Sequence, residues 1–333
     1  MTNRSYERKT QFRLDRVKPS VRGGVQDKFL LRKEARWIHR SRTQDTMAFN
    51  HFEYKGARFA IGVHSEESVA YAENQFEILD DDVYNVTFPR SGTNWMIVIL
   101  NLIKHKGDVA KSSLLPIYHR SPWYEASGTE EIIKKMNSPR ILTSHLPQHI
   151  FAKSFSKSKA KIIYTMRDPR DIIVSMFHFT KILSIFEEAE DFEKFIDDFI
   201  LGKVLYGSWF DHVKGWIKMK DDSRFFFVTY EELLQDLRGC VVRICKFLGQ
   251  DLDDAQIDLV VEHSSFKAMK ENVMSNWTHL PSKMRKSKGS YMRKGQAGDW
   301  KNHFTVAQSE YFDKIYKEKM KDVNMKFFWE QSS

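Results

Sequence analysis

The sequence predicts an α/β fold: a single domain whose central parallel sheet is flanked by helices on both faces. Helical patterns separate four short apolar runs, and strands that alternate with helices form parallel sheets. The run KIIYTM at 161–166 is apolar along its length, which is typical of a strand covered on both faces. The other three predicted strands occupy 83–88, 139–145 and 224–229.

The first predicted strand leads into a P-loop-like turn and a buried helix. Small, polar and cationic residues fill the loop, and an unbroken apolar run begins at Trp95. Such a loop directs backbone N–H groups and the positive end of the helix dipole to one point, which suits phosphate or sulfate. Arg90 adds a fixed positive charge. The loop lacks the pattern G-x-x-x-x-G-K-[ST], since Gly92 is its only glycine, and a plain turn with a surface arginine is the alternative.

Three more candidate residues follow the other predicted strands. His145 ends the second strand, Tyr230 ends the fourth, and Arg167 ends the third, just before a helix start marked by Asp168-Pro169. Ligands bind beyond the carboxyl ends of parallel strands, so we expect these side chains and the Arg90 loop to converge on one site. A histidine there supplies a base with a pKa suited to neutral pH.

Composition indicates a globular chain without a membrane span or a metal. The 333 residues are 41% hydrophobic, and the longest apolar run is far shorter than the roughly 20 residues that a span needs. No apolar stretch near the N-terminus resembles a secretory signal. Cys240 and Cys245 fit no zinc or redox motif, and we expect them reduced in the cytoplasm. The histidines show no metal-ligand spacing.

Residues 1–46 differ from the rest of the chain. They contribute +8 of the net charge of +9, contain Gly23-Gly24 and show little hydrophobic periodicity, so we predict a mostly disordered extension before a domain at 47–333. The extension has three interpretations: a solvated tail or alternative start, an organelle transit sequence, or an arm for an acidic partner or membrane surface. We expect no nucleic-acid partner.

Three segments together resemble the cytosolic sulfotransferase family: TFPRSGTNW, RDPRDIIVS and RKGQAGDWKNHFT. The resemblance extends from about His51 to the C-terminal helix. The phrases TSHLP, VTYEELLQD and SSFKAMKEN strengthen it. Enzymes of this family use 3′-phosphoadenosine 5′-phosphosulfate (PAPS), so the resemblance implies a PAPS-dependent sulfotransferase.

The resemblance also implies the roles of individual residues. His145 is the implied catalytic base, and Arg90 stands where the family has a lysine at the leaving-group side of the sulfate. The implied PAPS-binding residues are, for the 5′-phosphosulfate, Arg90, Ser91, Gly92, Thr93 and Asn94; for the 3′-phosphate, Arg167, Ser175, Arg293, Lys294 and Gly295; and for adenine, Trp95, Tyr230, Ser264, Ser265, Phe266, Lys267, Ala268 and Met269. Each of these residues taken alone also fits a structural role.

The implied chemistry is an in-line displacement at sulfur. It asks for positioning and charge stabilisation, with His145 accepting the proton of the acceptor and Arg90 stabilising the departing group. The acceptor is expected to be a small hydrophobic phenol, alcohol, amine or sterol. Its predicted apolar pocket contains the aromatic residues Phe52, Tyr54, Phe59, Trp123, Tyr124 and Phe179.

The C-terminal segment matches a short pattern through which members of the family pair as homodimers. Its residues are Lys301, Thr305, Val306 and Glu310. An ordinary amphipathic helix start is the alternative interpretation.

Two other functions remain open at the level of sequence. A P-loop kinase is disfavoured by the missing lysine-containing loop pattern and by the absence of an evident Mg²⁺-binding carboxylate. A non-catalytic PAPS-binding or interaction protein is the second, with the Arg90 substitution in its favour and the intact His145 against it.

Overall fold

Four parallel strands form the central sheet, in the order β4-β3-β5-β6. The computed structural model describes residues 51–330 except 185, 279–284 and 287–288. Two strands outside this sheet come first in the chain, so the strands are β1 His51–Tyr54, β2 Ala57–Ala60, β3 Val83–Thr87, β4 Ile141–Ser144, β5 Lys161–Met166 and β6 Phe225–Thr229. The pairings of β3 with β4, β3 with β5, and β5 with β6 are all parallel, which confirms the predicted α/β fold.

Alternate residues of β5 enter two hydrophobic cores, one on each face of the sheet. Ile162 and Tyr164 belong to one core and Ile163 to the other, and all three are fully buried. Successive side chains of a strand point to opposite faces, so a strand covered on both faces is apolar throughout. The predicted position of the helices on both faces is therefore confirmed.

The helices of the described residues pack around this sheet. Their bounds in chain order are α1 Glu66–Asn74, α2 Thr93–Lys104, α3 Val109–Ser112, α4 Ile117–Arg120, α5 Glu130–Ile133, α6 Pro169–Thr180, α7 Phe192–Ile200, α8 Trp209–Ile217, α9 Tyr230–Gln235, α10 Leu237–Leu248, α11 Asp254–His263, α12 Phe266–Glu271 and α13 Val306–Met320. Short 3₁₀ turns cover Gln148–Ile150, Lys153–Lys157, Asp299–Asn302 and Phe328–Glu330.

Two predicted helix ends are confirmed by their cap geometry. Helix α6 begins at Pro169, and the carboxylate of its N-cap Asp168 accepts the N–H of Arg170 at 2.9 Å. Helix α10 ends at Gly249, which has a left-handed φ of 70°. The backbone preferences of proline favour the first position of a helix, and those of glycine favour the position just after the last.

The sequence of residues 51–78 predicts loops and a short helix, but the structure also has an antiparallel hairpin before α1. Strands β1 and β2 pair from His51 opposite Ala60 to Tyr54 opposite Ala57. Lys55 and Gly56 form the turn with φ values of 48° and 82°, the positive values that tight hairpin turns require. Strands of four residues show too little alternation for the sequence to predict them.

The sequence pattern at 231–248 predicts a single long helix, and this prediction is wrong: two helices meet at Asp236. This residue has φ −144° and ψ 76°, outside the helical region, and its carboxylate accepts the N–H of Gly239 at 2.8 Å. An aspartate that caps a new helix in this way competes with continuation of the preceding one.

The predicted domain boundary lies at the edge of what the structure describes. The described residues belong to a compact unit that spans 47–333. The predicted extension at 1–46 lies outside the described residues, so the boundary stays a prediction. Across the described part of the chain, no helix is both long and apolar enough to cross a membrane.

Candidate active site

The carboxyl ends of the central strands bring the predicted site elements together. His145 follows β4, and its Nδ1 lies 2.7 Å from the carbonyl oxygen of Thr87 at the end of β3. Arg167 follows β5 and donates from Nη1 to the carbonyl oxygen of Arg90 at 3.3 Å. Its guanidinium also lies 4.2 Å from the ring centre of Tyr230. The structure therefore shows the convergence that the strand order predicts.

The loop after β3 is anchored to its own strand and retains unpaired donors. Asn85 donates from Nδ2 to the carbonyl oxygen of Thr93 at 3.1 Å, and the hydroxyls of Thr87 and Thr93 share a hydrogen bond of 2.7 Å. Buried Ser91 Oγ and Trp95 Nε1 find no hydrogen-bond partner among the described residues. The first N–H groups of α2 also lack acceptors within the helix. Because unpaired buried donors cost free energy, this arrangement fits an anionic ligand.

Gly92 is required at the N-cap of α2 by both backbone and packing. Its φ is 107°, in the left-handed region. A Cβ on this residue would lie 3.0 Å from Cδ2 of Tyr230, a contact closer than real Cβ atoms usually make. Glycine therefore lets the loop lie directly against Tyr230, whose ring also meets Trp95 edge-on at 5.3 Å.

The side chain of Arg90 extends from the loop to α6. Its Nε donates to Ser175 Oγ at 3.0 Å, and its guanidinium lies 4.3 Å from the ring centre of Phe179 and 4.9 Å from that of Tyr291. A planar guanidinium stacks on rings in a way that a lysine ammonium does not. Burial lowers the pKa of Arg90 below its usual value. Arg90 thus connects the loop with a residue predicted to bind the 3′-phosphate.

A second cationic group lies on the segment that precedes Asp299–Asn302. Arg293 Nη1 and Lys294 Nζ contact the Asp299 carboxylate at 2.7 and 2.6 Å. Burial opposes ionisation of this carboxyl, yet hydrogen bonds from Lys294, Asn302 and Arg293 hold its pKa well below the usual range. Asp299, which the sequence did not single out, therefore orients both predicted phosphate ligands.

Side chains at the start of α6 and just before it hold the backbone of residues 296–300. Arg167 Nη2 donates to the carbonyl oxygen of Gln296 at 2.9 Å, and the Asp171 carboxylate accepts the N–H groups of Gly298 and Trp300 at 2.7 and 3.0 Å. These bonds join the segments RDPRDIIVS and RKGQAGDWKNHFT into one structural unit. The residues predicted to bind the 3′-phosphate thereby lie on two segments that contact each other.

In the predicted adenine-binding stretch 264–269, some side chains bond or pack within the protein and others could contact a ligand. Ser264 Oγ donates to the carbonyl oxygen of Val260 at 2.6 Å, Ser265 caps α12, and Met269 is buried in the core. Phe266 packs directly on Gly295, where a Cβ would lie 2.1 Å from the ring. The remaining two residues of the stretch are the exposed Lys267 and the half-buried Ala268. Phe266 is therefore the member that the structure places against the cationic segment.

The ring of His145 is held as a neutral base. Its Nδ1 lies 2.7 Å from the Thr87 carbonyl, which can only accept, so Nδ1 carries the proton and Nε2 is the free acceptor. Burial and, to a smaller extent, the nearby charge of Arg90 lower the pKa of His145 to about 4, against the opposing effect of its hydrogen bond to the Thr87 carbonyl. At neutral pH the imidazole is uncharged and able to accept a proton.

Aromatic side chains form a wall beside His145. Trp123 and Tyr206 lie 5.7 and 5.0 Å from its ring, and Trp277 stacks on Tyr291 at 5.1 Å. Phe179 continues this wall next to Tyr291, 5.2 Å away. We call these five residues the aromatic wall.

The aromatic wall differs from the pocket that the sequence suggests. Trp123 and Phe179 belong to it as expected. Phe59 and Tyr124 are instead fully buried in the hydrophobic core, and Phe52 and Tyr54 pack against that core. Sequence alone does not distinguish a core aromatic from a pocket aromatic.

Within the described ranges, no group of three or more His, Cys, Asp or Glu is arranged to bind a metal ion. That the reaction needs no metal stays a prediction. Cys240 and Cys245 are both free and buried.

Comparisons with known proteins place this site in a family. The sequence profile of the Sulfotransferase domain matches residues 80–324. Sulfotransferase 2B1 of Mus musculus is 46% identical over 303 residues, which cover 90% of this chain and 89% of that protein. The 3-beta-hydroxysteroid sulfotransferase of Cavia porcellus is 46% identical over 286 residues, covering 86% of this chain and all of that protein.

A solved structure gives the same assignment. The crystal structure of mouse sulfotransferase SULT7A1 complexed with PAP has a TM-score of 0.69 and 28% identity, covering 82% of this chain and 96% of that chain. Together these likenesses support PAPS as the cosubstrate. The chain is an enzyme that belongs to the sulfotransferase family.

Proposed function

We propose that this enzyme transfers the sulfuryl group of PAPS to the hydroxyl of a hydroxysteroid, with His145 as the general base. The observation that carries the proposal is the position of His145. Its free Nε2 belongs to a neutral ring that lies against the aromatic wall and beside the loop after β3, residues 90–94, which we call the anion loop. Bound PAPS supplies the sulfuryl group, and its nucleotide is the leaving group.

The residues assigned to PAPS act by position and charge. Ser91, the first N–H groups of α2 and Arg90 are proposed to bind the phosphosulfate, since Ser91 and the start of α2 supply unpaired donors and Arg90 adds a cation to the same loop. Arg167, Ser175, Arg293, Lys294 and Gly295 are proposed to bind the 3′-phosphate.

Two further groups of residues complete the proposed PAPS site. Thr93 and Asn94, in the same loop as Ser91, are proposed as further contacts of the phosphosulfate. The proposed adenine contacts are Trp95, Tyr230 and the stretch 264–269.

His145 is proposed to accept the proton of the attacking hydroxyl. A base whose pKa lies below the ambient pH is in its active form, and one that is desolvated is not already paired with water. Arg90 and the loop donors are proposed to stabilise charge on the departing nucleotide. The chemistry is then positioning and electrostatics, without a covalent enzyme intermediate.

The acceptor class is proposed from the relatives and from the aromatic wall. One of the similar relatives is named Sulfotransferase 2B1, and another is named 3-beta-hydroxysteroid sulfotransferase. Flat aromatic and aliphatic surfaces bind the faces of a sterol ring system through the hydrophobic effect. Against a non-catalytic PAPS-binding protein stands the intact, neutral His145.

We predict that labelled sulfate moves from PAPS to a 3β-hydroxysteroid faster than to a simple phenol or amine. A sterol is expected to gain from contact with the aromatic wall, whereas a small phenol buries much less apolar area. The measurement is kcat/KM across a panel of sterols, phenols, alcohols and amines.

Transfer to a ketosteroid that lacks the hydroxyl is the negative control for this panel. Faster transfer to phenols or amines would contradict the acceptor class. Tight PAPS binding with transfer to no member would favour the non-catalytic alternative.

We predict that His145 remains neutral in the nucleotide-free protein well below pH 6. Its lowered pKa means that protonation needs a lower pH than in an unfolded chain, so the charged form should become half-populated near pH 4. Nitrogen-15 NMR of the imidazole, assigned with His145→Ala, measures both the midpoint and the tautomer. A midpoint at the ordinary value of about 6.5, or a proton on Nε2 at neutral pH, would contradict this description.

We also propose that the chain forms homodimers through the start of α13. Thr305 caps this helix, and Val306 is 76% exposed, an unusual position for an aliphatic side chain at a helix start. Lys301 and Glu310 are exposed nearby in the chain and provide charges of both signs. An exposed aliphatic side chain flanked by charges suits a small symmetric contact.

Val306→Glu should convert a dimer into a monomer, because a charge replaces the apolar contact. Light scattering measures the mass, and Leu114→Glu, at a similarly exposed aliphatic side chain, is the matched control. A wild-type protein with monomer mass, or a variant that remains dimeric, would contradict the proposed interface.

The proposed location is the cytoplasm. The two free, buried cysteines support it, since reduced thiols suit that compartment. Cell fractionation of the full chain tests it, and recovery inside a membrane-enclosed compartment would contradict it.

A further inference from the structure

We propose that Glu125 is a positioning residue for the reaction: its carboxylate holds the backbone amide of His145, while His212 holds the backbone carbonyl of His145 from the opposite side. The proposal rests on the role of His145 as base. Neither residue touches the groups assigned to PAPS. Both act on the peptide units that set where the imidazole lies.

Glu125 replaces a backbone acceptor at the free edge of β4. Thr143 donates its N–H to the carbonyl of Pro122 at 2.9 Å, and its own carbonyl accepts the N–H of Tyr124 at 3.2 Å. The next N–H along that edge belongs to His145, and its acceptor is Oε1 of Glu125 at 2.8 Å. The row of hydrogen bonds along this edge therefore ends at His145, where the acceptor is a side chain and not a backbone carbonyl.

The Glu125 carboxylate is in an unfavourable environment. It is fully buried, and Oε2 has no hydrogen-bond partner within the described ranges. Burial raises the pKa of Glu125 to about 7, against the opposing effect of its hydrogen bond to the His145 amide. Buried polar groups with perturbed pKa values concentrate at functional sites.

Helix α8 holds the next peptide unit, which follows His145. The Nε2 of His212 lies 3.2 Å from the carbonyl oxygen of His145, and its Nδ1 lies 2.8 Å from the hydroxyl of Tyr164. The carbonyl needs a donor, so Nε2 carries the proton and Nδ1 accepts from Tyr164. One turn later, Trp216 donates from Nε1 to the carbonyl of Leu146 at 3.1 Å.

These contacts explain how the base is held without contacts to its reactive nitrogen. The ring is hydrogen-bonded to Thr87 through Nδ1, and the peptide units before and after His145 are hydrogen-bonded to Glu125 and to His212, respectively. Nε2 is thereby left free for the acceptor. A displacement of about 1 Å at a reacting group can lower a rate about 100-fold, so the backbone position of His145 matters for kcat.

The test compares Glu125→Ala with Glu125→Gln in steady-state assays with PAPS and the best acceptor. Glu125→Ala removes the acceptor of the His145 amide, and kcat should fall about 10- to 100-fold. The KM for PAPS and the Kd for PAP should stay within about 3-fold, because the nucleotide site is unchanged. Glu125→Gln keeps an oxygen that accepts the same N–H, so kcat should return to within about 3-fold of wild type.

The matched control is Glu131→Ala, whose side chain is 73% exposed on α5 and which should leave kcat unchanged. Thermal unfolding of each variant verifies that the kinetics report folded protein. Wild-type kcat in Glu125→Ala would overturn the proposal. So would a kcat loss matched by an equal loss of PAP affinity, or a glutamine variant as impaired as the alanine variant.

A parallel assay of His145→Ala separates this proposal from the one on which it rests. Full activity in that variant would overturn the base assignment and the positioning role together. A large loss in His145→Ala with wild-type kcat in Glu125→Ala would overturn the positioning role alone.

Discussion

The hydrogen bond between His145 Nδ1 and the carbonyl of Thr87 joins the two halves of the site. It connects the end of β4 to the end of β3, adjacent strands of the parallel sheet. The bond assigns the ring proton to Nδ1 and so makes Nε2 the acceptor. Because Thr87 also bonds to Thr93 at the start of α2, the same strand end fixes both the base and the anion loop. The relative position of the proposed base and of the loop proposed to bind the phosphosulfate is thus set by rigid elements, as pre-organised catalysis requires.

Arg90 stands where the resemblance to the family implies a lysine, and the side chains around it suit a guanidinium. A lysine at this place would offer a compact point charge, whereas the guanidinium lies against two rings and donates to Ser175. One of those rings, Tyr291, also stacks on Trp277 of the aromatic wall. The charge that we propose for stabilising the leaving group is therefore packed against the surface proposed for the acceptor. This packing makes Arg90 and lysine unequal here even though their charge is the same.

Much of the fold and the convergence of the site could be predicted from the sequence, for physical reasons. Continuous apolar runs such as KIIYTM predict strands covered on both faces, and the carboxyl ends of parallel strands predict one shared site. What the sequence could not predict depends on contacts between distant segments. The orientation of Arg293 and Lys294 by Asp299, and the hold of Glu125 on His145, arise only in the folded chain. The hairpin at β1 and β2 is too short for its pattern to be distinctive.

The most direct test of the central claim is a single-turnover assay of His145→Ala, with the exposed His149→Ala as control. A general base contributes about 100-fold or more, so the rate of transfer should fall by at least that factor while PAP affinity stays near wild type. His149→Ala should transfer at the wild-type rate. Transfer in His145→Ala at a near-normal rate, or a loss explained by weaker PAP binding, would contradict the assignment of His145 as the base.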